Sequence, residues 1–360
     1  FTDEEYDKLK QIENKPKRER TPEELQKLEE AKKKNKLKQD AISILRGISI
    51  RMPLLIYGAD VPMGEDVTLE KLVRLVDEAS WTEFMPKGVD KRLFRKFMKY
   101  YDPEVFVAAG RRIRNTVLSA DRLPPVERVR KIADLMLHFK NPDKETVLTP
   151  WRVVNMHMSD TLGGYDFYDE SHEHPLPPET PPRFVDHGAV TAATLANPKA
   201  QILEINSKTG LYPLFVTFSI FQSKCDAMNP DALDAAAQER IWNETVRDNV
   251  FVICKTQMAK AITRRTLVGF KEATVNAHYF DDLINKFKNQ PDLFKKKVLK
   301  PSYWGKDGSV MQFDAIVGNP PYQQDDGGNR NSATPLSSAI TLVTPKFSSP
   351  PFAYVLPAPW

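Results

Sequence analysis

Residues 313–322 read Phe-Asp-Ala-Ile-Val-Gly-Asn-Pro-Pro-Tyr. Their types and order suit chemistry on a conjugated amine. An exocyclic amine on an aromatic ring is a poor nucleophile because its lone pair is delocalised. The Asn319 side-chain carbonyl can accept from one N–H and the Pro320 main-chain carbonyl from the other. Two fixed acceptors favour the pyramidal nitrogen of a transition state over the planar ground state. Pro320 and Pro321 hold those acceptors still, which lowers the ordering cost at reaction. Tyr322 offers a flat face on which a ring can stack. This chemistry needs no metal, nucleophilic side chain or strong base, and none is evident nearby in the sequence.

Such a loop must be presented by a rigid element. Ala315 to Gly318 is a short apolar run suited to a buried strand. The prolines end it, because neither can donate to a sheet ladder. The loop therefore sits at the carboxyl end of a strand, where open α/β sheets place their ligands. Upstream, after Asn197-Pro198, strand and helix patterns alternate. Gln201–Ile205 reads as a first strand, Val250–Cys254 as a second, a region near Ala273–Tyr279 as a third, Phe313–Gly318 as a fourth and Ala353–Pro357 as a fifth. Alternation of this kind predicts a parallel sheet with crossover helices. After the first strand, Asn206-Ser207-Lys208-Thr209-Gly210 forms a small polar turn before a helix start. Backbone N–H groups at such a turn are free to bind an anionic ligand.

The first 145 residues read differently. Thr21-Pro22-Glu23-Glu24 is a helix start with Thr21 as N-cap and Glu24 closing a capping box. Lys32-Lys33-Lys34, Lys36 and Lys38 follow the acids Glu23, Glu24, Glu29 and Glu30, and the stretch reads as a solvated helix face. Ile42 to Tyr57 is strongly apolar. Asp121-Arg122-Leu123-Pro124-Pro125 is a break, after which the spacing of Val126, Val129, Ile132, Met136 and Phe139 predicts a helix over 126–139. Arg111, Arg112 and Arg114 either meet a polyanion or line an interdomain face. The pattern predicts a helical domain over residues 1–145 and an α/β domain over 146–360. Between Ser171 and Arg183, Pro, His and Glu crowd into a surface loop. His172 and His174 flank Glu173 there, without a third ligand at a recognised metal spacing.

The chain has 360 residues, with 41% hydrophobic content, a net charge of +4 and a pI near 8.8. That length accommodates two cores. No apolar run looks long enough for a membrane span, and no membrane partner is expected. The chain begins at Phe1 without a signal-peptide pattern, which suggests a piece of a longer polypeptide. Cys225 and Cys254 are the only cysteines. They form no disulfide framework, so a reducing cytoplasm is the expected location. Neither follows a proline, which argues against a cytosine-C5 mechanism needing a thiolate. The mild positive charge suits a polyanionic partner.

The Asn319-Pro320-Pro321-Tyr322 loop resembles the catalytic motif of S-adenosylmethionine-dependent amino-methyltransferases, and most closely that of N6-adenine DNA methyltransferases. Ile202 to Tyr212 resembles the first cofactor motif of the class I methyltransferase fold. Glu204 stands at its acidic position and Gly210 at its last glycine, while Asn206 and Lys208 replace its middle glycines. Thr149-Pro150-Trp151-Arg152-Val153-Val154-Asn155-Met156-His157-Met158 resembles the element that closes over the methionine end of the cofactor. Closing element, first motif and Asn-Pro-Pro-Tyr follow in the gamma order. Together they resemble the methyltransferase part of bacterial restriction–modification helicase–methyltransferase fusions.

The resemblance implies a class I S-adenosylmethionine-dependent methyltransferase domain, Rossmann-like with a truncated sheet, preceded by a mostly α-helical connector. It implies methyl transfer to adenine N6 in double-stranded DNA, with Asn319, Pro320, Pro321 and Tyr322 catalytic. Cofactor contacts would come from Thr149, Pro150, Met156, Glu204, Asn206, Thr209, Gly210 and Asp281, with Val154 bordering them. The usual acid after the second strand, which holds the ribose hydroxyls, is replaced by Lys255-Thr256, so the ribose must be held differently. Helicase or nuclease parts and a target-recognition region would lie elsewhere in the longer polypeptide. Two other readings share these residues: a protein-glutamine or RNA amino-methyltransferase, and a degenerate scaffold without catalysis.

Overall fold

The computed structural model describes residues 3–139, 148–319 and 352–354. The N-terminal part is helical: α1 (Asp3–Asn14), α2 (Pro22–Ser49), α3 (Met52–Gly58), α4 (Leu69–Leu75), α5 (Glu78–Phe84), α6 (Lys91–Phe97), α7 (Pro103–Asp121) and α8 (Pro125–Leu137). The Thr21–Glu24 capping box forms with both reciprocal bonds. Residues 32–40 of α2 are exposed, as a solvated charged face requires. Pro22–Gly58, taken as one helical stretch, contains a window of mean hydropathy 1.3 and is long and apolar enough to cross a membrane by length and composition. That corrects the expectation that no run is long enough. Here the stretch breaks between α2 and α3, and Ile48, Met52 and Leu54–Tyr57 pack into the main core.

Next come α9 (Trp151–Thr161), the antiparallel pair β1 (Gly164–Asp166) and β2 (Arg183–Val185), and the short α10 (Ala189–Ala193). The two strands were not anticipated, because three residues are too few to show alternation. The loop they enclose is less superficial than its composition suggests. His172 is buried, with φ +56, and its Nε2 meets the buried Asp166 carboxylate, which Arg183 also pairs at 3.1 Å. His174 is exposed, and no cluster of three metal-ligating side chains occurs among the described residues.

The main sheet has five parallel strands: β3 (Ile202–Ser207), β4 (Val250–Cys254), β5 (Asn276–Tyr279), β6 (Ala315–Gly318) and β7 (Phe352–Tyr354), in the order β5-β4-β3-β6-β7. Four of the five expected strands shift by a few residues, and the second matches as predicted. Crossovers are α11 (Leu211–Asp226), α12 (Ala235–Asn249) and α13 (Gln257–Val268), then α14 (Leu283–Asn289) and α15 (Pro291–Val298).

Every residue of β3, β4 and β6 is buried, as both covered faces of a parallel sheet demand. Alternate side chains feed two cores. Ile202, Val250, Val252, Ala315 and Val317 join the larger one, which runs without a break into α3, α7 and α8. Leu203, Ile205, Phe251, Ile253 and Ile316 join Phe280, Phe294, Trp304 and Phe313 on the opposite face. The helical region is therefore packed onto one face of the sheet. Tyr57 of α3 reaches Thr266 of α13 at 3.1 Å. Of the three arginines, Arg114 lines this internal face, donating to the Val61 and Pro62 carbonyls and lying 5.4 Å from the Phe270 ring. Arg111 forks onto Asp66 at 2.7 and 2.6 Å, and Arg112 is exposed.

Candidate active site

The strand order reverses between β3 and β6: the chain leaves β3 for β4 on one side and later returns to β6 on the other. Crevices that receive ligands form at such switch points, beyond the carboxyl ends of the strands. Register there is fixed from the far end. Gln201 and Asp314 exchange bonds, Gln201 N–H to the Asp314 carboxylate and Asp314 N–H to the Gln201 carbonyl, both 2.8 Å. Ile202 then pairs with Ala315 and Glu204 with Val317. Two residues beyond that last pair in each strand stand Asn206 and Asn319.

Asn319 follows β6 directly. Its Nδ2 donates to Thr149 Oγ1 at 3.0 Å, and its Oδ1 is buried without a partner among the described residues. Thr149 thus fixes the amide so that the acceptor is the group left over. Thr149 immediately precedes α9, where Trp151, Val154 and Met158 are buried in the main core, Met156 is half-buried and Pro150 is exposed. Val154, expected beside the cofactor, is fully buried in that core. Pro320, Pro321 and Tyr322 lie outside the described residues.

Gly318, the last residue of β6, was not singled out in the sequence. It has φ +135, and a Cβ there would stand 3.2 Å from Glu204 Cγ and from the Ile205 carbonyl. Only glycine permits both the conformation and the approach. A lone glycine between a strand and a stiff loop was the available sign.

Glu204 is buried. Desolvation pushes its carboxyl up to about 8, opposed by a hydrogen bond from Ser207. Its Oε2 has no partner. Asn206 has φ +70 and a buried, unpartnered Oδ1. Asparagine is the non-glycine residue that best tolerates the left-handed region, so the backbone here keeps a glycine-like conformation although glycine is absent. Gly210, φ +79, begins α11 with no side-chain cap, and a Cβ on it would meet Thr263 Cα at 3.0 Å. Thr209 is buried beside it, its carbonyl accepting from Thr266. Asp281 is exposed, next to Phe280 at the carboxyl end of β5.

Glu204, Asn206, Thr209, Gly210, Thr149 and Asn319 thus converge on one end of the sheet. Buried acceptors without donors carry a desolvation cost until a ligand supplies donors. Glu204 Oε2, Asn206 Oδ1 and Asn319 Oδ1 are three such atoms. The uncapped start of α11 offers N–H groups to a carboxylate. The group suits a ligand with a cationic amine, a carboxylate and an adjacent aromatic amine. Both thiols are held protonated at neutral pH, Cys225 pushed up to about 11 by burial and Cys254 well above its usual value for the same reason, so neither is a nucleophile there.

Residues 248–342 match the family model described as Eco57I restriction-modification methylase. The matched stretch runs from β4 through Asn319 to Tyr322 and beyond. No curated protein matches the chain.

Proposed function

We propose that this chain is the catalytic part of a site-specific DNA methyltransferase that moves a methyl group from S-adenosylmethionine to the N6 amino group of adenine. The observation that carries the reading is the buried Asn319 Oδ1, left without a donor among the described residues, at a switch point where Glu204 Oε2 and Asn206 Oδ1 are likewise unpartnered. The similarity of residues 248–342 to restriction-modification methylases supports DNA as the substrate. The crossover between β5 and β6, residues 280–314, carries seven lysines against five acids, a small positive excess compatible with phosphates.

When bound, the cofactor supplies a methyl group made electrophilic by its positively charged sulfur. Asn319 accepts from one N–H of the target amine, with its amide held by Thr149, and Pro320 is assigned the second acceptor. Directing both N–H bonds toward the protein leaves the nitrogen lone pair aimed outward, in line for attack. Transfer would make the nitrogen–carbon bond at the expense of the cofactor's carbon–sulfur bond, and the amine would release one proton to water. Duplex adenine must leave its stack to reach this site, and Tyr322 is assigned the stacking face. Glu204, Asn206, Thr209 and Gly210 bind the amino-acid end of the cofactor, with Thr149, Pro150 and Met156 closing over it and Asp281 facing its base.

Incubating the protein with radiolabelled cofactor and either duplex DNA or ribosomes tests the reading. Label is expected in DNA; label confined to ribosomal RNA or protein would overturn it.

A further inference from the structure

The sequence shows no acid where the second strand of the sheet ends. Lys255 and Thr256 follow β4 instead. An acid 173 residues before Thr256 reaches that place. Glu83, on α5 of the helical region, is buried, and its Oε2 accepts from the Thr256 hydroxyl at 2.6 Å. Thr256 stands two residues past β4, and Cys254 at the strand end pairs in register with Ser207 of β3. Burial raises the Glu83 carboxyl above its usual range, opposed by the bond from Thr256 and by two nearby cations, half-buried Lys208 from the turn after β3 and exposed Lys255. Glu83 therefore lies at the carboxyl ends of the two adjacent strands, beside the turn that leads into α11.

In open α/β folds a carboxylate at this place accepts from a nucleoside's ribose hydroxyls. A carboxylate has about four lone-pair directions, so it can accept from a diol while keeping the bond from Thr256 and its other contacts. We propose that Glu83, supplied by the helical region, is the carboxylate that binds the ribose diol of the adenosyl cofactor. The inference rests on the methyltransferase reading above and gives the helical region a direct part in the cofactor site.

Glu83 also belongs to a docking contact. Ser80, one turn earlier on α5, accepts from Met258 N–H at 3.0 Å at the start of α13. A merely structural Glu83 would share that role, and the test separates the two. Calorimetric titrations with S-adenosylhomocysteine and with its 2′-deoxyribose analogue are compared for the wild type, Glu83→Gln and Ser80→Ala. The wild type is expected to favour the ribose form by about tenfold or more. Glu83→Gln should lose most of that preference, with the ribose ligand weakened and the deoxy ligand little changed. Ser80→Ala should keep the wild-type preference. Should Glu83→Gln fail to fold, Glu83→Asp replaces it, with the same loss expected from the shortened reach. A preference retained without the Glu83 carboxylate, or lost equally in Ser80→Ala, would overturn the proposal. Absence of wild-type binding to either ligand would instead overturn the methyltransferase reading, and the proposal with it.

Discussion

Asn319 carries a donor and an acceptor on one planar amide, and Thr149 takes the donor. That choice leaves Oδ1 pointing into the site. Glu204 makes a second commitment at the same scale. Burial lifts its carboxyl to about 8, so the folded protein holds a proton that the unfolded chain releases from about pH 4.5 upward. The folded state binds more protons across that window, so stability without ligand falls as pH rises from about 4.5 to 8. Glu204→Gln should flatten that slope and raise the melting temperature above pH 8, as measured by thermal unfolding at several pH values. A cation bound beside Glu204 would draw its pKa down again. Cofactor binding at pH 7 should therefore release protons in the wild type and not in Glu204→Gln, which calorimetry in buffers of different ionisation enthalpy would detect.

Strands β3 and β6 and the turns that follow them set the geometry, through three backbone positions at positive φ, Asn206, Gly210 and Gly318. Asn206→Gly should leave stability within about 1 kcal/mol, whereas Asn206→Val should cost on the order of 1–3 kcal/mol. Gly318→Ala combines an unfavourable φ with a close contact to Glu204 and should cost at least as much. Chemical denaturation of the three variants checks this order. At this scale much was legible. The apolar run of Ala315–Gly318, the two prolines and the polar turn before Gly210 located the strands, because local backbone rules act over a few residues. The glycine-like conformation of Asn206 was not legible, since asparagine adopts either hand of backbone. Nor was the pair β1–β2, or the buried contact of His172 with Asp166, because both depend on contacts between segments that composition does not register.

The molecule as a whole joins its helical region to the sheet through one core. Ile48, Leu55, Tyr57, Val117 and Ile132 belong to the same buried cluster as Val252 and Phe215. The change of sequence pattern that suggested a boundary near residue 145 did not reveal this shared interior, and Glu83 beside the end of β4 is its consequence. Such continuity predicts that helix loss followed by circular dichroism and the fluorescence of Trp242 and Trp304 change together in a single transition. Two separated transitions would mean that the regions unfold independently.

The account turns on Asn319 as the group that holds the target amine. DNA methylated by the purified protein should be digested to nucleosides and analysed by mass spectrometry, beside DNA treated with Asn319→Ala. The account predicts N6-methyladenine with the wild type and at least a hundredfold less with the variant, while DNA affinity changes by no more than about twofold. Equal N6-methyladenine from both proteins, or methylation found only on another base, would contradict it.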